Sequence, residues 1–124
     1  MGYDFREDPP VTLNVGPVLS MRDAILNKIS ALYSRSLTRD FIDLYSIRTA
    51  SKLSDDQLLS LSQVRDEGFL LPYFIKSLRR VETLSYENFS EYGITREQYS
   101  KIKSSALEWA DTIEAVLSLK YKKP

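Results

Sequence analysis

The chain has no cysteine and no histidine among its 124 residues. Disulfides, thiolate nucleophiles, the common kinds of zinc site and imidazole acid-base chemistry are thereby excluded, which leaves Lys, Arg, Asp, Glu, Ser and Tyr to carry any reaction. Neither sign of charge is in excess. Lys+Arg and Asp+Glu stand at 17 each, so the chain lacks the global field that gathers nucleic acid, although Arg79 with Arg80 and Lys120 with Lys122 and Lys123 form local basic spots. No stretch approaches the roughly 20 apolar residues that cross a bilayer, and the opening MGYDFREDPP has no apolar run of the signal-peptide kind. The cytoplasm is the expected compartment, with no membrane partner. Repeats, low-complexity tracts and a Pro/Gly-rich linker are also missing, and 43% apolar with 27% charged residues suits one domain with a modest core.

Residues 1–10 are polar and end in Pro9 and Pro10, which predicts an extended entry. Residues 11–15 read VTLNV. Their apolar-polar alternation predicts a short half-buried strand, closed by Gly16 and Pro17, that has no convincing partner elsewhere in the chain. Everything after Ser20 has helical signals. Ser20 with Asp23 is read as the cap of a helix over 21–34, Thr38 as the cap of a helix to about 50, and Ser54 with Asp55 and Asp56 as the start of a helix through 65, ended by Gly68. Pro72 suits the first turn of a short helix to 79, the Tyr- and Ser-rich stretch 81–93 reads as a packed connection, and Thr95 with Gln98 forms a capping box for a last helix to about 120. The fold class is therefore mainly α, a bundle of about five helices with one short N-terminal strand. On that long last helix, Tyr99, Ile102, Ala106, Trp109, Ile113, Val116 and Leu117 fall near one face.

The segment KISALYSRSLTRDFIDLY, residues 28–45, sets charge where the helical period calls for core. Met21, Ile25, Lys28, Leu32 and Arg35 share one face of the first helix, and Asp40 lies with Leu44 and Ile47 on the second, Asp43 at the edge of that stripe. Two cations and two carboxylates thus face each other across a short turn. Unpaired buried charge is costly, so they either close into a structural salt-bridge network or line a cleft that admits water or an anionic ligand. The first alternative describes a catalytically silent helical interaction module. The second describes a phosphate-positioning site, because phosphoryl transfer depends on placement and charge compensation. Elsewhere, Arg79, Arg80, Lys101 and Lys103 among Tyr86, Tyr92, Tyr99 and Trp109 read better as a solvated face over aromatic core anchors than as an RNA surface.

The succession Asn27, Lys28, Ala31, Leu32, Arg35, Arg39, Asp40, Asp43, Leu44, Tyr45 resembles the NK..AL..R...RD..DLY block of the AbiEii/AbiGii-type nucleotidyltransferase toxins of abortive-infection, toxin-antitoxin systems. Its extent is about residues 11–80, from the strand and the loop at Val18 and Leu19 through Gly68 and Phe69. The resemblance implies transfer of a nucleotide from a nucleoside triphosphate with magnesium, transfer RNA as acceptor, and a cognate antitoxin. It implies that Lys28 contacts the triphosphate, that Asp40 or alternatively Asp43 is the late catalytic acid, and that Arg35 and Arg39 contact the nucleotide beside it. The family's GS dipeptide and paired metal-binding acids have no counterpart here, since none of Gly2, Gly16, Gly68 and Gly93 is followed by serine. The expectation is a C-terminal helical half spanning 11–124, inactive alone and with no cofactor or metal bound to it alone, that works with a missing N-terminal transferase half, in a split enzyme or as a fragment. The unpartnered strand adds the expectation of a homo-oligomer.

Overall fold

The computed structural model describes residues 21–121, most of which lie in six helices: α1 (Met21–Ser34), α2 (Thr38–Ala50), α3 (Asp55–Arg65), α4 (Leu71–Arg79), α5 (Tyr86–Ser90) and α6 (Arg96–Tyr121). There is no strand among the described residues. The strand expected at 11–15 lies outside them, as do Ser20, the extended entry and the last three residues. No described helix is long and apolar enough to cross a membrane.

Caps account for most of the boundaries. Ser54 Oγ accepts from Gln57 N at 3.1 Å while Gln57 Oε1 accepts from Ser54 N at 2.8 Å, a reciprocal box that starts α3. Thr95 and Gln98 start α6 in the same way, at 3.1 and 2.9 Å. The count exceeds five because 81–93 is not merely a connection: a 3-10 turn (Arg80–Thr83) leads into α5, whose entry is held by Ser85 N donating to Asn88 Oδ1 at 2.8 Å. The start of α2 also departs from expectation. Thr38 is its first helical residue rather than its cap, and the cap position falls on Leu37, which has no side-chain acceptor to offer. A carboxylate three residues on takes over that duty.

One apolar cluster joins all the helices. Ile25, Ile29 and Leu32 of α1, Phe41, Leu44 and Ile47 of α2, and Phe74 and Leu78 of α4 close around Ala106, Trp109 and Ile113 of α6, each nearly or fully buried. At about 1.5 Å per residue α6 is about 39 Å long, and it serves as the spine on which α2, α4 and α5 pack. Its apolar face outlasts the domain, however. Val116, placed with that face by its period, is 55% exposed, because α4, whose start lies beside Leu117, ends the packing there.

Candidate functional site: two ion pairs across a tight turn

The connection between α1 and α2 is so short that the two helices must pack as an antiparallel pair. Ser36 takes the left-handed conformation that ends α1, with φ of 52°, and its buried hydroxyl donates to Leu32 O at 2.7 Å. Glycine usually fills such a position. Serine here offsets part of the strain by satisfying a carbonyl that the helix end leaves open.

The turn brings the four charged residues together as two pairs with different surroundings. Arg35 forks onto Asp40, its Nη2 donating to Oδ1 at 2.9 Å and its Nε to Oδ2 at 3.0 Å, and Leu37 N donates to the same Oδ2 at 2.8 Å. Asp40 is 2% exposed, while the Arg35 side chain is 46% exposed. The carboxylate is therefore sealed and its oxygens are engaged. The hydrogen bond that Arg35 donates to Asp40, and after it the charge of Asp40, hold the Arg35 guanidinium above its ordinary pKa. One turn away, Lys28 Nζ lies 3.1 Å from Asp43 Oδ2, with side chains 43% and 31% exposed. This second pair sits at the surface. Arg39 is exposed on α2 and joins no ion pair among the described residues.

The cations do not face the core as the helical period suggested. The buried stripe of α1 is Ile25, Leu26, Ile29 and Leu32, so that Lys28 and Arg35 lie on its flank, and Met21 is 40% exposed. Five positions spaced over two seven-residue repeats cannot tell the centre of a stripe from its edge, since the edges lie only about 50° from the centre. Asp40, by contrast, is as buried as its stripe-mates Leu44 and Ile47.

Another charged node had no forecast. Arg48, 16% exposed, grips Asp55 through Nε at 2.9 Å and Nη2 at 2.6 Å, donates through Nη1 to Ser105 O at 2.8 Å and Ser105 Oγ at 2.7 Å, and lies 4.9 Å over the Trp109 ring. It ties α2, α3 and α6 at one point. The signal was its place at the end of α2 shortly before the Asp55 that opens α3, though the Ser105 contact spans 57 residues and no local pattern encodes it. The basic and aromatic residues of the C-terminal half are similarly occupied: Arg79 pairs with Asp111 at 3.1 Å and with Glu114, Arg96 lies over Tyr86, and Trp109 is buried.

The magnesium implied by the family resemblance finds no matching donor set in the described part of the chain. No group of three or more acids there is placed to hold a metal ion, and Asp4, Glu7 and Asp8 lie outside the described residues. No family model, curated protein or solved structure matches the chain.

Proposed function

We propose that this domain is the C-terminal helical part of an AbiEii-like nucleotidyltransferase, in which Lys28 contacts the triphosphate and Asp43 is the carboxylate that faces the reacting groups. The division of the charged block by burial carries this reading. Asp40 is sealed and fully engaged, so its work is to hold Arg35 and cap α2, whereas Lys28 and Asp43 are exposed enough to meet a ligand. Arg39, exposed on the same helix, adds a second cation for phosphate. Rigid helices joined by a three-residue turn supply the fixed placement that phosphoryl chemistry requires.

On this reading the metal-binding carboxylates belong to a transferase half that pairs with this domain, and a cognate antitoxin and transfer RNA are its other partners. Assembly with a second copy through the segment 11–15 belongs to the same proposal. Binding is the direct test. Calorimetric titration of the full chain with a nucleoside triphosphate at low ionic strength is expected to give a complex that Lys28→Gln weakens about tenfold, the worth of one charge-assisted contact. Unchanged affinity in a folded Lys28→Gln protein would remove the proposal.

A second reading has its own support. Both pairs are internally satisfied, and the cavities beside Arg48 and Asp55, at Ser62, at Leu53 and at Pro72 are lined by other residues, which suits a catalytically silent interaction module. In that case Lys28→Gln changes stability slightly, by about 0.5 kcal/mol for a surface pair, and no triphosphate binds.

A further inference from the structure

On the side of α1 turned away from Lys28, a cavity of about 270 Å³ opens between α1, α3 and the turn into α4, lined by Leu26, Ser30, Ser62, Arg65, Asp66 and Phe69. Leu26 and Ser30 each lie two residues from Lys28, roughly 200° around the helix, so this cavity is separate from the ion pairs. Its polar groups have capacity to spare. Ser62 is 5% exposed and its buried hydroxyl oxygen has no hydrogen-bond partner among the described residues, an arrangement that a folded chain seldom leaves unanswered. Arg65 donates to Asp23 O at 3.4 Å and to Asn27 Oδ1, which uses Nη1 and Nη2 once each and leaves three of the five N–H groups of a guanidinium. Asp66 Oδ1 accepts from Gly68 N at 2.8 Å, and Oδ2 has no protein donor among the described residues.

The donor set and the acceptor set sit on consecutive residues at the end of α3. A guanidinium beside a carboxylate complements an edge that carries a carbonyl oxygen next to an N–H, and the two charges together leave the site without a preference for ions. Leu26 and Phe69 give apolar walls suited to a flat ring. The volume falls below the usual range for drug-sized ligands, so the cavity itself encloses one flat ring system and leaves any substituent on that ring outside.

We propose that this cavity binds the cyclic-amide edge of the base of a nucleoside, with the carbonyl accepting from Arg65 and Ser62, the ring N–H donating to Asp66 Oδ2 and the ribose left outside the cavity. Uridine and guanosine carry that edge. Adenosine and cytidine do not. The proposal is independent of the triphosphate reading, since it involves neither Lys28 nor Asp43.

The test is a two-dimensional amide NMR titration of the full chain with uridine, guanosine, adenosine and cytidine in turn. Uridine and guanosine are expected to shift the amides of Ser62, Arg65, Gly68 and Phe69 and to bind about tenfold more tightly than the other two, because a site built for a donor-acceptor pair rejects rings that lack it. Asp66→Asn keeps an acceptor for Gly68 N but turns the other position into a donor, so it is expected to abolish that preference. Ser62→Ala is expected to raise the melting temperature of the free protein by removing an unpaired buried hydroxyl while weakening uridine binding several-fold, a combination that a purely structural serine would not give. If none of the four nucleosides shifts these amides, or all four bind alike, the cavity is a hydration site and the proposal fails.

Discussion

Arg35 and Asp40, five residues apart, form a bidentate pair in which one partner is sealed at 2% exposure and the other stands half in water. Removing the two partners should therefore have unequal consequences. Arg35→Ala strands a buried carboxylate and is expected to cost about 3 kcal/mol or more. Asp40→Ala strands only a cation that water can reach, and costs about 2 kcal/mol through the lost cap at Leu37 N and the lost charged hydrogen bonds. Chemical denaturation of the two variants decides the order, and equal losses would contradict the burial described here.

Ser36 sets strain against a hydrogen bond. Ser36→Gly relieves the left-handed backbone but forfeits the bond to Leu32 O, two effects of about 1 kcal/mol each that nearly cancel. Ser36→Ala forfeits the bond and keeps the strain. Its melting temperature should fall below that of Ser36→Gly by several degrees, corresponding to about 1 kcal/mol.

Transfer activity should be absent from the isolated chain. Incubated with magnesium, labelled nucleoside triphosphates and transfer RNA, it is expected to label nothing, because on the proposed reading Lys28 and Asp43 only position phosphate and the acids for two metal ions are not assembled among the described residues. Labelling of RNA that disappears in Lys28→Gln would show that acids outside those residues complete the site.

Glu87 offers a test of pH response at α5. Its own backbone N–H and then the Ser85 hydroxyl hold its carboxyl below the ordinary glutamate range, helped by the charge of Arg96. A depressed folded-state pKa means stability that is present above the ordinary value and fades as acid carries the pH down through the folded value. Carboxyl NMR should find Glu87 titrating below the ordinary glutamate range, and Glu87→Gln should flatten the acid limb of α5 melting. A higher midpoint for Glu87 would refute the geometry.

Most of the helical plan was legible because it is locally encoded. Ser54 with Gln57 and Thr95 with Gln98 are capping boxes readable three residues at a time, and Pro72 marks the first turn of α4. The start of α2 was misread because its donor is answered by Asp40, a residue assigned to chemistry rather than to a cap. The pairing of cations with carboxylates was equally legible, since the short turn makes the two helices pack against each other, but which pair would be sealed depended on small rotations about the stripe. Arg48 with Ser105 and the cavity at Ser62 arise from tertiary packing of distant segments, and no local period announces them.

The sole tryptophan of the chain lies at the crossing of three helices, with the Phe74 ring edge-on at 5.3 Å and the Arg48 guanidinium over its face. Its indole is thus shielded from solvent only while α2, α4 and α6 are all in place. The domain carries its own optical gauge: emission from Trp109 reads the closure of that junction without a label, and a red shift marks the moment at which any one of the three helices lets go.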